Sequence, residues 1–537
     1  MQKTILSKSI CHDKFRHDDS RSRAFNIASF DMNCATRLVD IFGSQAEVAR
    51  RFCLDRAVVN HWVKVGYVPA RWAMEVEQVT DGQIAAIDVL NEATACKPLK
   101  LKSRPDGENF IDSTLKGSIS MNSFAPAKRI GSFHPPRRTL MGPGPTEIHP
   151  RVLTTMSQPA IGYLDPVFVE MMEELKSLLR YAYQTKNALT FPISGPGSVG
   201  MEYCFVNLVQ PGDKVIVCRN GVFGGRMIEN VERCGGTPIV VEDKWGEPVD
   251  PQKLEDALKK NPDVRLVAFV HAETSTGVLS DAKTLVEIAH KYNALTIVDA
   301  VTSLGGSPVL VDEWKFDAVY SASQKCLSCT PGLSPVSFSE QVVDYVKARK
   351  DKIHSWFMDM NLQLGYWGDA TRTYHHTAPT NSLFALHEAL LLIREEGLEN
   401  AWSRVRRDHV ALKAGLEAMG LKFLVKEPFQ IPQMNAAMCP EGVNEAEVRK
   451  RLLSEFSLEI GAGLGPLAGK IWRFGLMGYS CRPANVMLCL SALGSVLDDM
   501  GYPVHVGDAE AAAHAAYASM HATEAQAKKR KAPAIAA

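Results

Sequence analysis

From about residue 140 onward, runs of apolar residues alternate with stretches in which apolar side chains recur every three or four positions. "DKVIVCRN" (213–220), "TPIVVE" (237–242), "VRLVAFVHAE" (264–273) and "ALTIVDAVTS" (294–303) read as buried strands. "DPVFVEMMEELKSLLRYAYQT" (165–185) and "KTLVEIAHKY" (283–292) read as amphipathic helices. Such alternation predicts an α/β fold whose mostly parallel sheet is covered on both faces, with ligands gathering at the carboxyl ends of the strands. From about Glu396 the pattern becomes "LENAWSRVRRDHVALKAGLEAMGLKFLV" followed by mixed helix and strand. The expected division is a large domain over 139–396, a smaller α+β domain over 397–505 and a disordered, alanine-rich tail over 506–537.

The first part of the chain has a different character. Residues 1–31 are polar and patternless, which predicts a disordered extension, with Met32 as an alternative start. In 32–93, Ser44 ahead of Gln45 and Glu47 marks a helix start. Ala46, Val48, Ala49 and Phe52 then form an apolar stripe, and Asp55 caps a second short helix ending near Lys64. Two short helices joined by a tight turn, with Val59 and Trp62 facing inward, form a small all-α helix-turn-helix pattern. Residues 94–138, with Pro98, Pro105, Pro126, Pro135 and Pro136, read as a linker.

Composition adds little beyond solubility class: 46% hydrophobic and 22% charged residues, with Lys+Arg and Asp+Glu both 60. No apolar run approaches the roughly 20 residues needed to cross a bilayer, and the mixed-charge first thirty residues argue against a secretory signal. The 12 cysteines are scattered, as expected of reduced thiols in a cytoplasm. Cys326 and Cys329 have no second pair at ligand spacing, so no metal is expected there. Residues 1–139 carry 21 Lys+Arg against 15 Asp+Glu, a weak basic footprint for nucleic acid.

Chemistry concentrates at the expected strand ends. "SASQKCLSCTPG" places Lys325 behind small residues and ahead of a Pro-Gly turn, the setting of a desolvated, nucleophilic amine. "SGPGS" offers Gly195, Gly197 and Ser198 at a helix start suited to a phosphate. Asp299 ends an apolar strand, where a carboxylate needs a cation such as a protonated ring nitrogen. Phe223 in "NGVFGGR" is able to lie flat on an aromatic ring, Thr274 ends another strand, and "RTYHHTAP" gathers Tyr374, His375, His376 and Thr377. Arg473 in "GKIWRFGL" needs an anion such as a substrate carboxylate. A lysine able to condense with an aldehyde, a phosphate cradle, a ring-nitrogen partner, an aromatic plate and a carboxylate-binding arginine together describe pyridoxal phosphate bound to an amino acid.

In this order, with "LMGPGPTEIHPRVL" ahead of them and "WRFGLMG" behind, the motifs resemble those of the class V aminotransferases, fold type I. The resemblance covers about Leu140 to Pro503 and is nearest to alanine-glyoxylate and serine-pyruvate enzymes. It implies that Lys325 is the internal-aldimine lysine, that Asp299 meets the pyridine nitrogen and that Phe223 stacks on the ring where mammalian enzymes have tryptophan. It further implies that Thr274 bonds the ring oxygen, that Gly197, Ser198 and Gln324 lie near the phosphate, and that Arg473 holds the substrate carboxylate. Tyr374 and Thr377 would reach the phosphate across a homodimer with shared active sites; His375 and His376 are read as a structural corner. Ser198 replaces a mammalian histidine, which leaves the donor open: alanine, serine, ureidoglycine or 2-aminoethylphosphonate, with glyoxylate or pyruvate as keto acid.

The segment 38–93 resembles Cro-like repressor domains, with Gln45, Ala49, Val59 and Trp62 in the places that family uses and Cys53 where it usually has a turn glycine. The resemblance implies that Arg56, Ala57 and Asn60 face DNA base edges. A transcription regulator sensing the cofactor or an amino acid, and a passenger segment on an enzyme, both stay open.

Overall fold

The computed structural model describes residues 33–52, 54–69, 72–80, 83–84, 89, 131–368 and 372–531. The expected extension over 1–31, most of the linker and Cys53 lie outside the described residues. The chain divides into two compact units, Met1–Gly131 and Ser132–Ala537.

Short capped helices build the first unit: α1 (Cys34–Phe42), α2 (Gln45–Arg51), α3 (Arg56–Val65) and α4 (Ala73–Val79). Ser44 accepts from Glu47 N–H and starts α2, and Asp55 accepts from Ala57 N–H and starts α3. Val48, Ala49, Phe52, Val59 and Trp62 are buried, whereas Ala46 is exposed and falls outside the expected stripe. Phe52, Trp62 and Trp72 meet with ring centroids 5.8–6.2 Å apart and supply the large aromatic surfaces of this small core.

In the second unit seven strands form the main sheet: β1 (Leu189–Ser194), β2 (Lys214–Arg219), β3 (Thr237–Glu242), β4 (Leu266–Val270), β5 (Leu295–Asp299), β6 (Ala318–Tyr320) and β7 (Leu333–Phe338). The order is β1-β7-β6-β5-β4-β2-β3, parallel except for β7, which runs against both neighbours. Every residue of β4 and β5 is buried, which is why these strands read as continuous apolar runs. Helices α5 (Pro166–Tyr183), α6 (Gly197–Leu208) and α7 (Val222–Arg233) belong to this layer, and α8 (Thr380–Glu396) leads out of it.

Next come α9 (Leu398–Ala418), a small antiparallel sheet of β8 (Met434–Met438), β9 (Gly461–Ala462) and β10 (Ile471–Gly475), and α10 (Pro483–Asp499). Their core includes Leu412, Leu452, Trp472, Phe474 and Leu493. Met141 joins this smaller core: Thr139–Leu140 pairs with Leu458–Glu459, and Met141 N–H donates to Glu459 O at 2.9 Å. The start of the expected large domain therefore packs with the small one, through partners too distant in sequence for any local pattern to reveal.

The disorder expected over 506–537 is corrected for Asp508–Lys531, and 532–537 lie outside the described residues. Asp508–Lys531 is a helix, α11, in which Ala509, Ala513 and Tyr517 recur every fourth residue and are buried in the smaller core. Alanine is the strongest helix former, so an alanine-rich composition with this stripe specifies a docked helix. Tyr517 OH donates to Asp408 Oδ1 at 3.2 Å, and the fully buried Asp408 also receives Arg407 Nε and Cys481 Sγ. Tyr517→Phe removes one donor from a buried carboxylate, at a cost of about 1–3 kcal/mol. Its thermal unfolding midpoint is expected to fall, and that of Tyr517→Ala to fall further; midpoints equal to wild type would refute a stabilising role for α11.

Candidate active site

The carboxyl ends of the parallel strands converge on one cavity of about 210 Å³ lined by Gly197, Ser198, Phe223, Arg226, Thr274, Asp299, Gln324 and Lys325, among others. Register accounts for part of this: Val270 pairs with Asp299 and Asp299 with Tyr320, so the ends of β4, β5 and β6 stand level.

Lys325 follows β6. The small residues ahead of it are needed because the segment lies against β7: Ser321 N–H bonds Pro335 O and Ser323 N–H bonds Leu333 O, with both serines fully buried. Ser323 Oγ ties the loop shut on Thr330 O at 2.6 Å, and Gly332 turns at φ 123°. The Lys325 ammonium donates to Pro143 O. Burial, reinforced by the Arg473 charge, pushes the Lys325 amine down to about 8. Such an amine is neutral near neutral pH far more often than one at its ordinary value.

Asp299 accepts from Val301 N–H at 2.8 Å and from Tyr320 OH at 2.7 Å, yet burial still pushes its carboxyl up to about 7. A cation opposite it would restore the carboxylate, as a protonated pyridine nitrogen does. Two further features fit that cofactor. Gln324 Oε1 is buried without a partner at the cavity wall, and the first turn of α6, whose N–H groups have no intrahelical acceptor, begins at Gly197 and Ser198. Gly197 is required there because a Cβ would stand 2.7 Å from Ala322 Cβ.

Phe223, half-buried near the start of α7, lines the cavity with the Arg226 guanidinium 4.9 Å from its ring centre. Thr274 is buried on the opposite strand end. Arg473 in β10 is tethered to it, Nη1 to Thr274 O at 3.1 Å, and Nε bonds Ala462 O at 2.6 Å. Both acceptors are carbonyls, and burial lowers the guanidinium to about 10; an incoming carboxylate would supply the missing negative charge.

The structure does not bring Tyr374 and Thr377 into this chain's cavity: Tyr374 is exposed, its OH 3.4 Å from Thr377 Oγ1. His376 bonds Ser194 Oγ at 2.8 Å and His375 stacks on Trp356. Cys326 and Cys329 are buried, and burial pushes their thiols up to about 12 and about 11, away from reactive thiolates. In the first unit Arg56, Ala57 and Asn60 are all exposed on α3.

Sequence reasoning assigned no site role to Pro143, Gly144, Tyr320 or Glu273. Gly144, at φ 108°, leaves the space that Lys325 occupies, since a Cβ would stand 2.7 Å from its Nζ. The one signal in the sequence was the glycine-proline alternation of "GPGP".

Residues 143–466 match the family described as Aminotransferase class-V, and residues 36–91 match the one described as Bacterial toxin YdaS. The chain is 40% identical over 380 residues to (S)-ureidoglycine–glyoxylate transaminase of Bacillus subtilis, covering 67% of this chain and 91% of that one. It is 39% identical over 365 residues to alanine–glyoxylate aminotransferase of Mus musculus, with 67% and 88% covered. Among solved structures it is similar to ureidoglycine-glyoxylate aminotransferase from Bacillus subtilis, with a TM-score of 0.71 and 40% identity over 72% of this chain and 100% of the other. It is also similar to alanine–glyoxylate aminotransferase from Nostoc sp., with a TM-score of 0.68 and 42% identity over 69% and 98%. With a lysine, a carboxylate and an anion-ready helix start brought together at the strand ends, the chain belongs to the class V aminotransferases, and its cofactor is pyridoxal phosphate.

Proposed function

We propose that this aminotransferase moves an amino group from a small amino acid, alanine or serine, to glyoxylate or pyruvate by a ping-pong mechanism. The observation that carries the proposal is Arg473, a buried guanidinium whose hydrogen bonds among the described residues go to carbonyls and which is tethered to a residue of the cofactor cavity. It is placed to hold the single carboxylate of such substrates. Glyoxylate appears in the names of both relatives described above, which favours it as acceptor, and ureidoglycine is the alternative donor on the same grounds.

Pyridoxal phosphate, when bound, supplies an aldehyde that condenses with amines and a ring that takes up carbanion charge. Lys325 would anchor that group through its aldehyde, and its free, neutral amine would carry the substrate Cα proton to the carbon that had been the aldehyde. Asp299 would hold the proton at the ring nitrogen. Phe223 would cover one ring face, Thr274 would orient the ring oxygen, and Gly197, Ser198 and Gln324 would receive the phosphate. We place the enzyme in the cytoplasm as a homodimer in which Tyr374 and Thr377 of the partner subunit complete the phosphate site.

Lys325→Ala is expected to abolish transamination and the yellow colour of the purified protein; a variant with full turnover would refute the assignment. Arg473→Ala is expected to raise KM for alanine by about ten- to a hundredfold, the loss of a charge-assisted pair. An unchanged KM would mean that another residue holds the carboxylate. A panel of donors against glyoxylate and pyruvate separates alanine, serine, ureidoglycine and 2-aminoethylphosphonate.

A second reading, a transcription regulator, is favoured by the match of residues 36–91 and by the exposure of Arg56, Ala57 and Asn60. A chain beginning at Lys128 is expected to retain transamination, because every group named for the chemistry lies beyond it. In a gel shift with DNA upstream of the protein's own gene, the full chain is expected to bind more tightly than the Arg56→Ala, Asn60→Ala double variant. Equal binding would leave the segment a passenger.

A further inference from the structure

Glu273 has no part in the chemistry above, yet it is fully buried beside the site. It ends the short strand Ala272–Glu273, one residue before Thr274. Its Oε2 accepts from Phe223 N–H at 3.1 Å; its Oε1 accepts from Ser275 N–H at 3.0 Å and from Ser275 Oγ at 2.6 Å. Ser275 Oγ in turn accepts from Val222 N–H at 3.0 Å. Val222 and Phe223 are the first two residues of α7, a helix whose N-cap is Gly221 and which has no side-chain cap of its own. The orphan N–H groups of this helix are thus satisfied from a different strand end, by a carboxylate at the positive end of the helix.

Gly221 belongs to the same arrangement. Its backbone is extended, so conformation does not call for glycine. Space does: a Cβ would stand 2.4 Å from Glu273 Cδ and 2.5 Å from Ser275 Oγ. The helix start and the carboxylate are pressed together with no side chain between them. Burial raises the Glu273 carboxyl, and the Ser275, Phe223 and Gly224 donors oppose that rise. Since the Phe223 N–H, the Ser275 N–H and the Ser275 hydroxyl all donate to its oxygens, the geometry suits the ionised form, with both oxygens accepting.

We propose that Glu273 is a positioning residue for the cofactor: by clamping the first turn of α7 it fixes the height and tilt of the Phe223 ring against the cofactor ring. The inference rests on the reading of Phe223 as the stacking plate. A ring at the second position of a helix moves with that helix start, so a frayed first turn would let the plate swing while leaving Lys325 and Asp299 in place.

The test is a double-mutant cycle read by cofactor affinity rather than turnover, in the full-length apoprotein titrated with pyridoxal phosphate and followed by fluorescence quenching and visible circular dichroism. Glu273→Gln keeps the shape but turns one acceptor into a donor facing an N–H group. It is expected to raise the cofactor Kd by about ten- to a hundredfold and to weaken the dichroic signal of bound cofactor. In a Phe223→Ala background the same change is expected to raise Kd by less than about twofold, because contacts that act through one residue are not additive. Equal losses in both backgrounds would overturn the clamp. An unweakened Kd in Phe223→Ala alone would remove the plate itself, and the clamp with it, which separates the two failures. Should Glu273→Gln not fold, Ser275→Ala keeps the carboxylate and removes the acceptor of Val222 together with one hydroxyl donor to Glu273. A smaller rise in Kd that vanishes in the Phe223→Ala background supports the clamp, and no rise overturns it.

Discussion

Desolvation of two opposite charges at one edge of a sheet is the constraint on which the rest of the architecture depends. The Lys325 amine is pushed down and the Asp299 carboxyl up, and in each case burial is the largest cause. An amine that is partly neutral and a carboxyl that lacks its cation are both incomplete, and each is completed by a different part of one ligand. The seven-stranded sheet serves this end by standing the ends of β4, β5 and β6 level, so that two groups from separate strand ends share one cavity. Their cost in stability is carried by the continuous apolar strands beneath them.

Much of this was legible because the chemistry sits where local sequence is most informative. A carboxylate at the end of "LTIVD" and a lysine behind "SASQ" break an apolar pattern, and such breaks need a physical reason. Arg473 in "IWRFG" was legible on the same ground, although its present partners are carbonyls. The caps of the first unit, Ser44 and Asp55, were equally readable, since a cap acts within three residues of itself. Ala46 misled because an alanine marks neither face strongly.

What escaped the sequence was mostly long-range or compositional. Pro143 meets Lys325 across 182 positions through a carbonyl, a group every residue carries. Glu273 was hidden because two of its three donors are backbone amides and the third is a serine hydroxyl, groups that mark no site in a sequence. The helix Asp508–Lys531 was missed because alanine enrichment was weighed as low complexity, when the four-residue spacing of Ala509, Ala513 and Tyr517 carried the signal. Tyr374 and Thr377 do not line the cavity of their own chain, so a single chain holds no geometry from which to judge them.

The segment Met141–Gly144 has a mechanical consequence. Met141 is buried in the smaller core, Gly475 N–H holds Met141 O at 2.7 Å, and two residues later Pro143 O receives the Lys325 ammonium. A Cβ at Gly475 would stand 1.9 Å from Gly142 O, so the segment is gripped without slack. One residue of extended chain spans about 3.3 Å, more than the reach of a hydrogen bond allows in surplus. Any sliding of the smaller domain by a single residue's length would therefore pull the acceptor off the lysine, which makes this short strap a length gauge between the two cores.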